Sequence, residues 1–293
     1  MSIIPFDDRD GTIWLDGEMV PWRDAKTHTL THGLHYASMV FEGERAYGGT
    51  IFKSREHTER LRQSCQYLDF DMPYSDDEFE AVKQQVLAEN NITDGYIRAF
   101  CWRGSEMMAI SAQQTTTHVA VAAWAWPSYF DPETKMKGIT LDIAEWKRPS
   151  TESAPVHAKA AGLYMICTLS KHKAERNGFN DALMLDYRGY IAEATGANVF
   201  FLMDDGKLHT PEADCFLNGI TRRTVIDLAR EEGLEVIERH MMPEEMAKAR
   251  ECFLTGTAAE VTPVSRIGDY HFTPGNVTKS LVQGYDDLVN GRR

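Results

Sequence analysis

Little in this chain marks it for a membrane, for export or for a polyanion. No apolar run approaches the roughly 18 residues that a membrane helix needs. Residues 1–8 have neither the basic lead nor the apolar core of an export signal, so a cytoplasmic protein without membrane association is expected. Cysteine is sparse: Cys65, Cys101, Cys167, Cys215 and Cys252 are odd in number, widely spaced and never in a C-x-x-C pair. Neither a disulfide framework nor a zinc knuckle is suggested by that spacing. An excess of positive charge is also missing, with 31 Lys and Arg against 44 Asp and Glu and a net charge of -13. Without a basic stripe to release counterions, nucleic acid is not an expected partner. An anionic ligand would have to be held by local backbone N–H groups and single arginines, which points to small molecules. Internal repeats and low-complexity tracts are absent as well.

What is present suffices for about two domains, since 293 residues with 43 % hydrophobic content can bury two cores. Apolar runs on either side of Asp16-Gly17 predict an opening hairpin, because that dipeptide readily takes positive φ. A second hairpin is expected where residues 40–47 turn at Gly48-Gly49 and return through residues 50–52. Before it, His28, His32 and His35 have the spacing of metal ligands on one helical face. Gly33 and the nearby threonines make a poor helix, and no acidic general base stands between the histidines. Loop or core histidines are the plainer reading, and no metal is expected. His57-Thr58-Glu59-Arg60-Leu61 opens a helix whose Leu61, Cys65 and Leu68 share a face, and Arg60 has either Glu56 or a phosphate to pair with. Ser75 caps a further helix, and residues 96–102 and 118–124 read as buried strands. The proline-bearing aromatic stretch over residues 124–132 marks a boundary. The expected division is a small α+β domain over 1–124, a linker over 125–135 and a large domain over 136–293.

In the second half, Lys159 stands among small residues, His157-Ala158-Lys159-Ala160-Ala161-Gly162-Leu163-Tyr164, before a helical run that Asn177-Gly178 ends. An amine attacks a carbonyl only when uncharged, and a partly dry setting lowers a lysine pKa toward neutrality. Lys159 is therefore either the carrier of a cofactor aldehyde as a Schiff base or one more surface lysine. Hairpins at Tyr187-Arg188-Gly189 and Asp205-Gly206 follow, the first laying Glu193 on a strand. Leu217-Asn218-Gly219-Ile220-Thr221 leads into a helix. Its glycine and Thr cap form either an ordinary N-cap or a phosphate cradle of free N–H groups. A short strand at residues 251–254 runs into the small-residue turn over 255–260, whose backbone a ligand can approach closely. A terminal helix is expected over residues 277–288.

In their order, these segments resemble the branched-chain amino acid aminotransferases of the class IV pyridoxal-phosphate family, over nearly the whole chain. The matching motifs are Leu34-His35-Tyr36 with Val40-Phe41-Glu42-Gly43, Glu59-Arg60-Leu61, Tyr96-Ile97-Arg98, and Lys159 with Gly162 and Tyr164. They continue with Ile191-Ala192-Glu193, Gly196 and Asn198, then Thr210-Pro211, Gly219-Ile220-Thr221-Arg222 and the run from Thr255 to Val264. The resemblance implies an α+β, two-domain, D-amino-acid-aminotransferase-like fold of type IV with pyridoxal 5′-phosphate at the domain interface. It implies transamination between Leu, Ile or Val and 2-oxoglutarate, giving the branched 2-oxo acid and L-glutamate. The partners are then small amino acids and 2-oxo acids, in a homodimer or a higher assembly of dimers, with a neighbour's loop around Met107-Met108-Ala109-Ile110 closing the pocket.

By the same resemblance, Lys159 forms the internal aldimine and moves a proton, Glu193 pairs with the pyridine nitrogen, and Tyr164 meets the ring hydroxyl. Arg60, Ile220, Thr221 and Thr257 correspond to the phosphate set, with Gly196 and Asn198 beside the cofactor. Tyr96 and the Thr257-Ala258 backbone take the substrate α-carboxylate. Tyr36, Phe41, Trp126, Tyr129 and Tyr164 line the side-chain pocket, and Arg98 pairs the second carboxylate of glutamate. Relatives that act on D-amino acids grip the α-carboxylate through an Arg-x-His pair, whereas Arg98 is followed by Ala99 and Phe100. Departures from the family pattern are Glu44, Ala99, Ala197 and Asn218; Glu44 and Ala99 are expected near the side-chain pocket.

Overall fold

The computed structural model describes residues 4–126 and 135–293. The chain forms two compact units, one of Met1–Pro127 with Ala158–Gly162, the other of Ser128–His157 with Leu163–Arg293.

The first unit is built on a seven-stranded sheet. It contains β1 (Thr12–Leu15), β2 (Glu18–Pro21), β3 (Met39–Phe41), β4 (Glu44–Tyr47), β5 (Thr50–Ile51), β6 (Gly95–Arg103) and β7 (Thr117–Ala125), in the order β2-β1-β7-β6-β4-β5 with β3 also on β6. Its helices are α1 (His32–Tyr36), α2 (Ser54–Tyr67) and α3 (Asp76–Glu89). The turn between β1 and β2 has positive φ at both Asp16 and Gly17, the conformation that matches strand twist. Ser75 and Glu78 form a reciprocal capping box at the start of α3. Because side chains alternate along a strand, Ile97, Ala99 and Cys101 of β6 share one fully buried face, and Tyr96, Arg98, Phe100 and Trp102 share the other. α2 starts at Ser54, three residues before His57, and the expected strand over 40–47 is interrupted at Glu42-Gly43. A side chain at Gly43 would sit 1.9 Å from the Tyr96 hydroxyl, so the interruption is where that phenol meets the backbone.

The second unit contains β8 (Ile139–Ile143), α4 (Tyr164–Arg176), β9 (Asp181–Leu185), β10 (Ile191–Ala194), β11 (Asn198–Met203), β12 (Leu208–Pro211), α5 (Ile220–Glu231), β13 (Val236–Arg239), β14 (Ala249–Gly256), β15 (Glu260–Ile267), β16 (Tyr270–His271) and α6 (Asn276–Val289). Its sheet runs β10-β9-β8-β15-β14-β11-β12-β13, and β10 also pairs with β11, so six of the strands close into a ring. Leu141, Leu183, Ile191, Ala194, Val199, Phe201, Leu254 and Val264 fill one apolar core with its neighbours. Two of those residues, Ile191 and Ala194, are three apart on β10. Regular alternation would make their separation even, and the register of β10 on β9 shifts between Ile191 and Glu193. This bulge turns Glu193 away from the core, at the closing pair Glu193–Asn198. β8 and β13, both only half-buried, carry no alternation that the sequence alone makes visible.

Lys159 groups with the first unit, although the residues that flank Ala158–Gly162 belong to the second. The cause is an antiparallel bridge between Val40 and Ala160, with Phe41 N–H donating to the Lys159 carbonyl at 3.1 Å. Among the described residues no helix is long and apolar enough to cross a membrane.

Candidate active site

In the first unit, α2 presents His57, Arg60 and Ser64 at i, i+3 and i+7, which is one stripe of a helix. Each position on that stripe fixes something. Ser64, fully buried, accepts the Lys159 N–H at 3.0 Å, so the lysine backbone is held at both its N–H and its carbonyl. Arg60 donates Nε and Nη2 to the two oxygens of Glu42 at 2.7 and 2.8 Å. His57 Nδ1 lies 2.7 Å from Glu42 Oε2. Burial by itself would raise the Glu42 pKa, but the facing Arg60 and His57 outweigh it and hold the carboxyl well below its usual range.

Phe41 is the common neighbour of Lys159 and Arg98, both expected at the site. Lys159 Nζ lies 5.2 Å from its ring centroid and the Arg98 guanidinium 4.6 Å. Arg98 Nη2 donates to the Tyr96 hydroxyl at 3.2 Å, and Tyr96 packs 5.7 Å from Trp126. Opposite Arg98 across the sheet is Ala122, too small to crowd it. Among the described residues Arg98 has no carboxylate partner, and its Nε is buried without a hydrogen bond. A half-buried cation in that condition suits an anion from outside the chain.

In the second unit, Asn198 gathers the cofactor set. Its Nδ2 donates to Glu193 Oε2 at 3.2 Å and to the Leu217 carbonyl at 3.1 Å, and across the sheet it is paired with Thr255. A side chain at Gly219 would lie 2.3 Å from Asn198 Oδ1, so only glycine allows the turn into α5 to approach. Gly219 is itself the N-cap of α5, without a side-chain capping bond. Thr221 is thus the second residue of the helix, not the cap the sequence suggests, and the first-turn N–H groups of Ile220 and Thr221 have no cap side chain to satisfy them.

The other Glu193 oxygen, Oε1, lies 3.4 Å from Arg148 Nε. Burial alone would lower the Arg148 pKa, but anionic Glu193 and the neighbouring Cys167 and Tyr164 outweigh it and the net shift is upward. Burial pushes the Cys167 thiol up to about 11, which leaves it inert. The donor set fits pyridoxal phosphate: an uncapped helix N-terminus and a small-residue turn for phosphate, and a carboxylate for a ring N–H.

The described residues therefore bring together Phe41, Tyr96, Arg98, Trp126 and Lys159 within the first unit, where Arg60 is fixed by Glu42 next to Phe41. In the second, Asn198 links Glu193 to the turn before Ile220 and Thr221 and pairs with Thr255 just before the turn of Thr257 and Ala258, and Gly196 stands in the turn between β10 and β11. Tyr164 opens α4 near Arg148. Tyr36 instead stacks on His32 at 4.5 Å, and Tyr129 lies outside the described residues. Glu44 and Ala99 turn out to face the helices rather than Arg98. Glu44 accepts from Lys83 at 2.9 Å, and Ala99 alternates with Arg98 along β6. Residues not singled out from sequence are Glu42, His57, Ser64, Lys83 and Arg148. Glu42 stands inside the Phe41-Glu42-Gly43 motif, whereas Arg148 lies in a stretch with no periodic signal.

The three histidines do not converge, since His28 accepts from Leu30 N–H, His32 bonds Ser38 and the Ala109 carbonyl, and His35 bonds the Thr29 carbonyl. Elsewhere Asp186, Asp214 and Cys215 form the only metal-like grouping among the described residues, and Arg188 Nη2 already bonds both carboxylates there.

The family described as amino-transferase class IV matches residues 39–267. The branched-chain-amino-acid aminotransferase of Pseudomonas aeruginosa is 41 % identical over 292 residues, covering 97 % of this chain and 95 % of that protein. The solved T.th. branched-chain amino acid aminotransferase with pyridoxamine 5′-phosphate superposes with a TM-score of 0.94 at 37 % identity, covering 97 % of this chain and 96 % of the other. The same T.th. enzyme complexed with N-(5′-phosphopyridoxyl)-L-glutamate gives 0.92 at 36 % identity and the same coverage. This chain belongs to the class IV aminotransferases and has their α+β fold of type IV.

Proposed function

We propose that this protein moves the amino group of Leu, Ile or Val to 2-oxoglutarate with pyridoxal 5′-phosphate, giving the branched 2-oxo acid and L-glutamate. The observation that carries the reading is the shared ring of Phe41, which has Lys159 and a carboxylate-free Arg98 over it. An aromatic floor accepts a branched alkyl group, and the guanidinium at its edge pairs the second carboxylate of glutamate, so one pocket serves both substrates. Relatives bearing pyridoxamine phosphate and a phosphopyridoxyl-glutamate adduct support the same pair of ligands.

When bound, pyridoxal phosphate supplies an aldehyde and a protonated ring that withdraws the electron pair left as the substrate Cα–H bond breaks. Lys159 Nζ takes that proton, its backbone fixed by Ser64 and Phe41 so that the side chain alone moves. Glu193, held by Asn198 and beside Arg148, would accept the ring N–H. Arg60, Thr257 and the N–H groups of Ile220 and Thr221 bind the phosphate, and Tyr164 meets the ring hydroxyl. Tyr96 and the Thr257-Ala258 N–H groups orient the α-carboxylate. The proposed assembly is a homodimer or a higher assembly of dimers, in which the loop around residues 107–110, where Ile110 is 85 % exposed, serves a neighbouring copy.

Replacing the lysine tests the reading most directly. Lys159→Ala should lose leucine–2-oxoglutarate transamination by at least about a thousandfold while unfolding at an unchanged temperature. Turnover retained within tenfold would overturn the assignment. Arg98→Leu should impair 2-oxoglutarate far more than leucine, and equal impairment would remove its proposed role.

A further inference from the structure

We infer that Glu42 is a positioning residue for cofactor phosphate: a buried carboxylate that never meets the ligand but fixes the guanidinium of Arg60 in the orientation that does. The inference rests on the phosphate role given to Arg60 under Proposed function and deepens it.

Glu42 is fully buried, and both its ends are tied. Its N–H donates to the Ala99 carbonyl at 2.7 Å, which holds the backbone to β6 although neither Glu42 nor Gly43 belongs to a strand. Its carboxylate is then gripped by the Nε–Nη2 edge of Arg60, at 2.7 and 2.8 Å, and steadied by His57 at 2.7 Å. Two parallel N–H···O bonds fix a plane, not merely a distance, so this fork removes the rotational freedom of a side chain that otherwise samples many rotamers. The Arg60 side chain remains 13 % exposed while that of Glu42 is sealed at 0 %, so solvent and ligands reach the arginine and not the carboxylate. An arginine ordered before its ligand arrives loses less entropy on binding a phosphate.

Net charge and orientation predict opposite effects here, so the two can be told apart. Ionised Glu42 cancels the positive charge of Arg60. If net charge alone governed phosphate binding, removing the carboxylate would tighten it. If the carboxylate orients the guanidinium, removing it weakens binding. A purely structural ion pair would instead weaken every ligand alike.

Apoenzyme of the full chain is titrated with pyridoxal phosphate and with pyridoxal, which lacks the phosphate, and the ratio of the two dissociation constants is compared among variants. Glu42→Gln should lower the preference for the phosphorylated form by about tenfold, with pyridoxal affinity held within about twofold. Arg60→Met should lower it at least as much, and Glu42→Gln added to Arg60→Met should lower it no further. Glu42→Asp keeps the charge but retracts the fork, so it should lose several-fold of the preference. This variant decides the matter if Glu42→Gln does not fold. A preference that stays constant or rises in both Glu42 variants overturns the inference, as does equal weakening of both ligands. A wild-type protein that does not prefer the phosphorylated form overturns the parent reading, and this inference with it.

Discussion

Each unit contains a carboxylate beside a guanidinium, and the two pairs differ in which partner is exposed. In the first unit Glu42 is sealed and bound edge to edge by Arg60, while the arginine keeps some exposure. In the second, Arg148 is the more deeply buried partner, its Nε stands 3.4 Å from Glu193, and the Glu193 side chain is 12 % exposed. The tight pair commits its carboxylate to holding a cation. The loose pair leaves its carboxylate accessible and sets the cation beside it. On the proposed reading, the same two functional groups serve a mechanical role in one place and a chemical role in the other, through distance and exposure.

The largest effect that would break this comparison lies at Glu193. Glu193→Gln keeps the Asn198 contact but removes the charge, and turnover should fall by about 10²- to 10⁴-fold with little change in unfolding temperature. Activity within tenfold of wild type would mean that Glu193 is no more chemical than Glu42.

Next comes a neighbouring pair with neither role. Lys83 is fully buried, bonds Glu44, Thr58 and the Ser54 carbonyl at 2.8–3.0 Å and also pairs with the partly exposed Glu80 at 2.9 Å. Lys83→Met leaves the buried Glu44 without its cation and should cost about 3–5 kcal/mol of stability; adding Glu44→Leu should restore part of it, the Glu80 contact staying lost. Denaturant melts that show no recovery in the double variant would contradict a simple buried pair.

A smaller effect is expected at Arg148. Arg148→Met should slow turnover about tenfold, and Arg148→Lys should regain part of that, because the role assigned to it is charge beside Glu193. Loss without any recovery by lysine would favour packing instead.

The smallest effect is in acid stability, where Glu42 and Glu44 should oppose each other. Glu42 has a depressed pKa when folded. Its contribution is present above the ordinary value of 4.5 and lost as pH falls through the folded value. Burial raises the Glu44 pKa despite Lys83, so its contribution is full below 4.5 and lost as pH rises through the higher folded value. Unfolding free energy measured from pH 3 upward should therefore rise less steeply in Glu42→Gln and more steeply in Glu44→Gln than in wild type. Identical slopes would remove the distinction between the two carboxylates.

Local signals were legible wherever a few neighbouring residues decide the geometry. Asp16-Gly17 made its hairpin, Ser75 and Glu78 capped α3, and the strand at residues 96–102 was readable from its apolar run. The start of α2 and the cap of α5 were misplaced by one turn or less, since helix ends depend on what the flanking chain contacts. Glu44 and Ala99 were placed near the substrate pocket because they adjoin its motifs in sequence. Strand alternation turns them to the opposite face.

The sequence by itself determined the inventory of chemistry, with a lysine among small residues, a strand glutamate, a glycine before a helix and an arginine two residues after a tyrosine. Order and spacing along a chain suffice for that, because turns, caps and alternation act over a few residues. Tertiary structure alone decided that Lys159 joins the first unit through Ser64, 95 residues away, and that a bulge turns Glu193 out of the barrel core. It also gave Glu42 to Arg60. Contacts at such separations depend on how whole sheets pair, and no local pattern carries that information.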